Sequence, residues 1–167
     1  MKQINTKDLV LISILIALNV VLSRFLSISA WNIKIGFTFI TLYISAYLYG
    51  PLISGMVGGI GDLIGSLLFP IGAYFPGFTL TSFLMGVVFG LFLYRNSKTL
   101  NIILACVIND VFFSLLLNTL WIKILYNSNF FVLLSTRILQ CVLMIVIEIS
   151  VIVIFSRSIN KLERLTK

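Results

Sequence analysis

The sequence predicts an all-α membrane protein, a bundle of six transmembrane helices, and three observations carry that expectation. Hydrophobic residues fill 60% of the 167 positions and charged residues only 10%, with a mean hydropathy of +1.15; soluble domains run at roughly 25% charged. The apolar residues form six continuous runs, each long enough to cross a bilayer as a helix. The basic residues stand mostly where those runs end. A chain of this length hides only about two-thirds of its surface by folding in water, so lipid must be its main solvent. These features exclude a cytosolic enzyme, a secreted disulfide scaffold and a disordered tail.

Taken in order, the spans fall at about 8–26, 33–49, 52–70, 76–94, 100–122 and 131–157, against the ~20 residues a crossing needs. The first run follows Lys2 and Lys7 and resembles a signal peptide, but no small-x-small cleavage site and polar mature chain follow it, so it reads as a retained helix. Gly50-Pro51 separates the second span from the third, and Pro70 and Pro76 bracket the next connection. Arg95-Asn96-Ser97-Lys98 and Tyr126-Asn127-Ser128-Asn129 close the fourth and fifth. Continuous rather than alternating hydrophobicity argues against a β-barrel. The whole of 1–167 reads as one domain without an internal repeat.

Six spans place both termini on one side. That side carries Lys2, Lys7, Arg95, Lys98, Arg157, Lys161, Arg164 and Lys167; the other carries Arg24, Lys34, Lys123 and Arg137. The eight-to-four split puts both termini in the cytoplasm. The net charge of +7 is thus a membrane pattern, and no nucleic-acid partner is expected. With no histidine and two cysteines, Cys106 and Cys141, inside apolar runs, no metal site or other cofactor is expected.

The polar residues within the spans are the informative ones, since an intramembrane charge costs about 2.5–3.5 kcal/mol on the insertion scale. Asp62, Asp110, Arg137 and Glu148 are four such charges. Asp110, Ser114, Asn118 and Trp121 share one helical stripe, as do Arg137, Gln140, Met144 and Glu148, and Ser54, Gly58, Asp62 and Gly65. These three faces should converge. Asp62, Asn118, Trp121, Arg137 and Gln140 lie toward the external half, level with Arg24, Lys34 and the Pro70–Pro76 connection. The set suits a ligand that is anionic at one end and flat at the other. Asp110 and Glu148 lie deeper and read as structural, paired within the bundle. Lys34 and Lys123 read as interfacial anchors. The glycine-rich run Gly55–Gly65 lacks a following lysine and reads as a close-packing face rather than a phosphate loop. Ser13 and Ala17 form a small-xxx-small pair on the first helix. No nucleophile–base pair or nucleotide motif occurs, so no enzyme is expected.

The residues Leu22-Ser-Arg24-Phe-Leu-Ser-Ile28, Ile35-Gly-Phe37, Tyr49-Gly-Pro51 and above all Gly61-Asp62-Leu-Ile-Gly65-Ser-Leu-Leu-Phe69-Pro70-Ile-Gly-Ala-Tyr74-Phe-Pro76-Gly-Phe-Thr79 resemble the folate-specific S component of energy-coupling-factor (ECF) vitamin importers. The resemblance covers essentially the whole chain and is weakest over 126–136 and the C-terminal tail. It implies a multi-pass bacterial cell-membrane subunit that captures folate outside and docks on a membrane scaffold subunit with two cytoplasmic ATPases. It also implies docking through an alanine-xxx-alanine face of the first helix, here Ser13 and Ala17. Folate fits the polar set. Asp62 suits the amino-pyrimidine edge of the pterin, Trp121, Tyr74 or Phe75 suit ring stacking, and Arg24 or Arg137 suit the glutamate carboxylates. Asn118 and Gln140 complete the candidate binding set. The rival readings are an S component for another vitamin, a solitary ion-coupled carrier using Asp62, Asp110 and Glu148, and a scaffolding membrane protein.

Overall fold

The computed structural model describes residues 5–30, 33–95 and 98–165; Lys2, Asn96, Ser97 and Lys167, used in the charge and boundary arguments, lie outside the described residues, as do the side chains of Lys34, Lys161 and Arg164. Six helices form the bundle among the described residues: α1 Thr6–Arg24, α2 Thr38–Tyr49, α3 Pro51–Leu68, α4 Pro76–Leu93, α5 Thr99–Tyr126 and α6 Phe130–Leu165. Five of them are long and apolar enough to cross a membrane.

The second span departs from expectation. The sequence reading started it at residue 33, but β2 Ile33–Ile35 instead pairs antiparallel with β1 Ile28–Ala30, with Ile28 opposite Ile35 and Ala30 opposite Ile33. Hydropathy alone does not distinguish these short isoleucine-containing strands from the end of a helix. α2 is left with 12 residues, about 18 Å at 1.5 Å per residue, well short of the ~30 Å hydrocarbon layer. The hairpin therefore occupies the end of the bundle where α1 stops.

Local chemistry sets the helix ends. Asn5 caps α1, its side chain accepting from the backbone while Asp8 returns the bond to the Asn5 N–H. Between α2 and α3 the chain reverses at Gly50, whose φ of +83° disfavours any side chain, and Pro51 opens α3 at the position where its missing N–H does no harm. α5 is α-helical to Ile108, π-helical over Asn109–Leu117 and α-helical again from Asn118.

The glycine-rich face works as a packing surface, as read. A Cβ on Gly58 would collide with the Ser82 carbonyl, one on Gly86 with Ser54, and one on Gly90 with Pro51. α3 and α4 thus approach backbone to backbone, the geometry that small residues permit in lipid. The main core gathers Phe39, Leu42, Tyr43 and Ala46 of α2, Phe89 and Leu93 of α4, Ile102 and Ala105 of α5, and Met144 and Ile152 of α6. Leu9, Val10, Ile14, Leu139 and Val146 remain exposed on the outside, as a lipid-facing surface requires.

Candidate functional site

The candidate site lies at the end of the bundle where α1 and α3 finish and α4 begins. Arg24 closes α1 and turns across α3, where its NH2 donates to Asp62 Oδ1 at 3.3 Å. The other carboxylate oxygen of Asp62, Oδ2, accepts from the Thr79 hydroxyl of α4 at 2.9 Å. One carboxylate thus ties three helices together. Gly65 leaves the room for this pair, since a Cβ there would sit 2.7 Å from Arg24 Nε; Gly61 does the same for Asn19, at 2.6 Å from its Oδ1. The glycine run therefore seats polar side chains of α1 besides packing α3 on α4. Arg24 Nε is buried with no hydrogen-bond partner among the described residues, so part of the guanidinium keeps unused donor capacity.

An aromatic group stands on the other side of the α3–α4 connection. Phe75 packs on Trp121 with ring centroids 5.5 Å apart and on Phe78 at 6.2 Å. Gly77 lets both large rings approach, a Cβ there lying 2.6 Å from each. The Trp121 indole N–H donates to Thr81 at 2.9 Å, which fixes the indole plane. Tyr74 is in the same connection, 41% exposed.

The polar stripes of α5 and α6 meet each other. Arg137, 5% exposed, donates from NH2 to the Ser114 carbonyl at 3.1 Å within the π-helical stretch. Its Nε and NH1 are buried without partners among the described residues, as is Asn118 Oδ1 one turn beyond Ser114. Gln140 is buried beside Arg137 on α6. A buried guanidinium with two open donors is a receptor for an anion.

The sequence-derived residues are thus brought together in pairs: Arg24 with Asp62, Phe75 with Trp121, and the Arg137–Gln140 turn with the Ser114–Asn118 turn. The Asp62 carboxylate itself turns to Arg24 and Thr79, while Gly58 and Asp62 of the third stripe line one cavity with Glu148 of the α6 stripe. Asp110 and Glu148 are not neutralised by a basic partner among the described residues; each keeps a buried oxygen unpartnered. Lys123 is exposed in the last turn of α5, the position of an anchor. Residues without a role in the sequence reading complete the site. Thr79 and Thr81 supply hydroxyls, and Asn19 donates to Thr41 at 2.7 Å. Threonines in apolar helices usually bond their own backbone, so their spacing gave no signal. A cavity of about 70 Å³ joins Asn19, Ser23, Thr38, Ser82, Asp62 and Glu148.

Comparison with known proteins places this geometry. Residues 3–161 match the family model of the ECF-type riboflavin transporter, S component. The chain is 38% identical over 168 residues to a folate transporter FolT of Clostridium novyi (strain NT), covering 100% of this chain and 96% of the relative. It is 28% identical over 156 residues to a FolT of Leuconostoc mesenteroides subsp. mesenteroides, covering 89% and 84%. Its fold superposes on a crystal structure of FolT bound with folic acid with a TM-score of 0.84 and 34% identity, over 89% of this chain and 91% of the other. A full-length match in sequence and in fold leaves one assignment: this multi-pass membrane protein belongs to the S components of ECF-type transporters.

Proposed function

We propose that this chain is the folate-binding subunit of an ECF importer. It captures folate at the Arg24 end and hands it over by docking on a scaffold subunit that carries two ATPases. The observation that carries the reading is the close match to the fold of FolT holding folic acid. Local chemistry supports it. Folate is flat at its pterin end and carries two carboxylates at its glutamate end. Arg24 and Arg137, each with buried unpartnered donors, suit those carboxylates. Phe75 and Trp121, with Tyr74 beside them, form an aromatic wall for the rings, and Asn118 and Gln140 add amide contacts. Asp62 orients Arg24 and holds Thr79, closing the polar wall.

Riboflavin is the second reading, favoured by the family model's description. It is uncharged and would leave the buried Arg137 guanidinium, whose Nε and NH1 have no partner among the described residues, without the anion it fits, which is the costly outcome. The test is a titration of the purified protein against folate, riboflavin, thiamine and biotin. Folate should bind tightest by orders of magnitude; preference for riboflavin would overturn the reading.

The polarity proposed is one domain over 1–167 with both termini cytoplasmic, so that the Arg24 end opens outward. The charge split supports it. Docking is assigned to the Ser13–Ala17 face of α1. Both residues are exposed, whereas Ile12, Leu15 and Asn19, turned away from that face, are buried.

A further inference from the structure

The bundle carries a second concavity, on its outer surface, that the binding set does not use. It is a groove of about 500 Å³ walled by apolar side chains: Val88 of α4, Phe130 of α6 and a face of α5 that begins at Ile108 and ends at Leu120. Phe112 and Leu116, between those limits, belong to the π-helical stretch. The groove opens sideways, since Phe112, Leu116 and Leu120, four residues apart, are all exposed. Trp121, next to Leu120 in the chain, turns away from it to Phe75 and Thr81.

The solvent on this face is lipid, and an unfilled slot would cost its lining the dispersion contacts of the missing atoms. The groove's length suits one acyl chain. Leu120 lies 12 residues beyond Ile108, at most about 18 Å at 1.5 Å per residue, close to one leaflet of a hydrocarbon layer ~30 Å thick. Charge then selects the headgroup. The stripe of Leu116 and Leu120 continues three residues on to Lys123, exposed in the last turn of α5. Phe130, which walls the same end, is the first residue of α6, whose N-terminus is the positive end of the helix dipole. The sequence has no acidic residue between Asp110 and Glu148. A phosphate at that mouth therefore meets a cation and a helix N-terminus, with no carboxylate of α5 or α6 at that end. A protein partner is placed elsewhere. α1 packs on α2 and α3 and not on α5 or α6 among the described residues, so a scaffold docked on Ser13 and Ala17 leaves the groove to lipid.

We propose that the groove is a lipid site. It holds one acyl chain of an anionic phospholipid from the leaflet at the Arg24 end, with the phosphate at Lys123 and the start of α6.

The test uses phosphatidylcholine vesicles holding the full chain and a trace of phosphatidylglycerol with a photoactivatable diazirine midway along one acyl chain. The same probe with a choline headgroup is the control, and mass spectrometry maps the crosslinked residues. The phosphatidylglycerol probe should label Phe112 and Leu116 about five-fold more than the control, the factor one lysine near a membrane surface supplies, and unlabelled phosphatidylglycerol should compete it away. Lys123→Glu should erase that preference. Leu116→Trp, which fills the groove, should erase labelling there by either probe. Folate binding by both variants checks the fold; Lys123→Glu, at an exposed position, carries the test should the tryptophan variant fail to fold. Equal labelling of the groove by the two probes, labelling spread evenly over the exposed faces of α1 and α5, or a preference that survives Lys123→Glu would each overturn the proposal. So would exclusion of both probes with crosslinks to a second copy through α5, which would mean that a protein helix covers the groove.

Discussion

Arg24 and Asp62 hold each other across α1 and α3 in a setting where each alone would be a poorly solvated charge. Removing Asp62 leaves the guanidinium unmatched and frees Thr79, so Asp62→Ala should weaken folate binding by about 30-fold, at 1.4 kcal/mol per tenfold and 2–5 kcal/mol for truncating one partner of a buried charged pair. Arg137→Ala should cost a similar factor by removing the open donors beside Ser114. Lys123→Ala should leave the affinity unchanged, because its side chain is exposed at the end of α5. Titration alongside a thermal melt separates lost contacts from lost fold. Unchanged affinity in both pocket variants would mean that these charges serve only helix association.

At the scale of elements, the α3–α4 contact depends on residues with no side chain. Gly86→Val would drive two methyl groups into the Ser54 backbone, and overpacking of this kind costs roughly 1–3 kcal/mol or more. The detergent-solubilised variant should melt well below the wild type. Gly72→Ala should not, because the nearest atom to a Cβ there is the Tyr126 hydroxyl at 3.5 Å. An equal melting point for Gly86→Val would show that the two helices can separate without loss. How legible such elements were follows from physics. Five helices could be read from continuous apolar runs, because crossing lipid demands length. The pairing of Ile28–Ala30 with Ile33–Ile35 could not, since three-residue strands carry too little pattern. The π-helical stretch of α5 keeps the same apolar residues in either winding. Within the site, charged and aromatic residues stood out because lipid excludes or ranks them. Thr79, Thr81 and Asn19 emerged only when the fold brought their partners within reach.

For the molecule as a whole, orientation decides which end meets the ligand and which meets the partner. With both termini inside, a cysteine at position 128, in the turn between α5 and α6, should label from the outside of intact cells; labelling only from the cytoplasm would invert the site. Coupling to ATPases is the last link. Ser13 and Ala17 are four residues apart on one face of α1, exposed to the surroundings rather than packed in the bundle. Ser13 satisfies its own hydroxyl on the Leu9 carbonyl, so it presents a small, polar-neutral surface on which another helix can lie closely. A tryptophan there would keep that helix away by steric overlap alone. The ligand end should be untouched, because Ala17 lies seven residues from Arg24, about 10 Å along the axis, and points away from the buried face. Ser13→Trp or Ala17→Trp should therefore abolish ATP-dependent folate uptake in vesicles holding the full complex, while the isolated protein binds folate with wild-type affinity. Loss of both activities would place the face within the chain's own core, against its exposure. Full uptake in both variants would remove this face from the coupling step and send the search for the docking surface to the other lipid-facing helices.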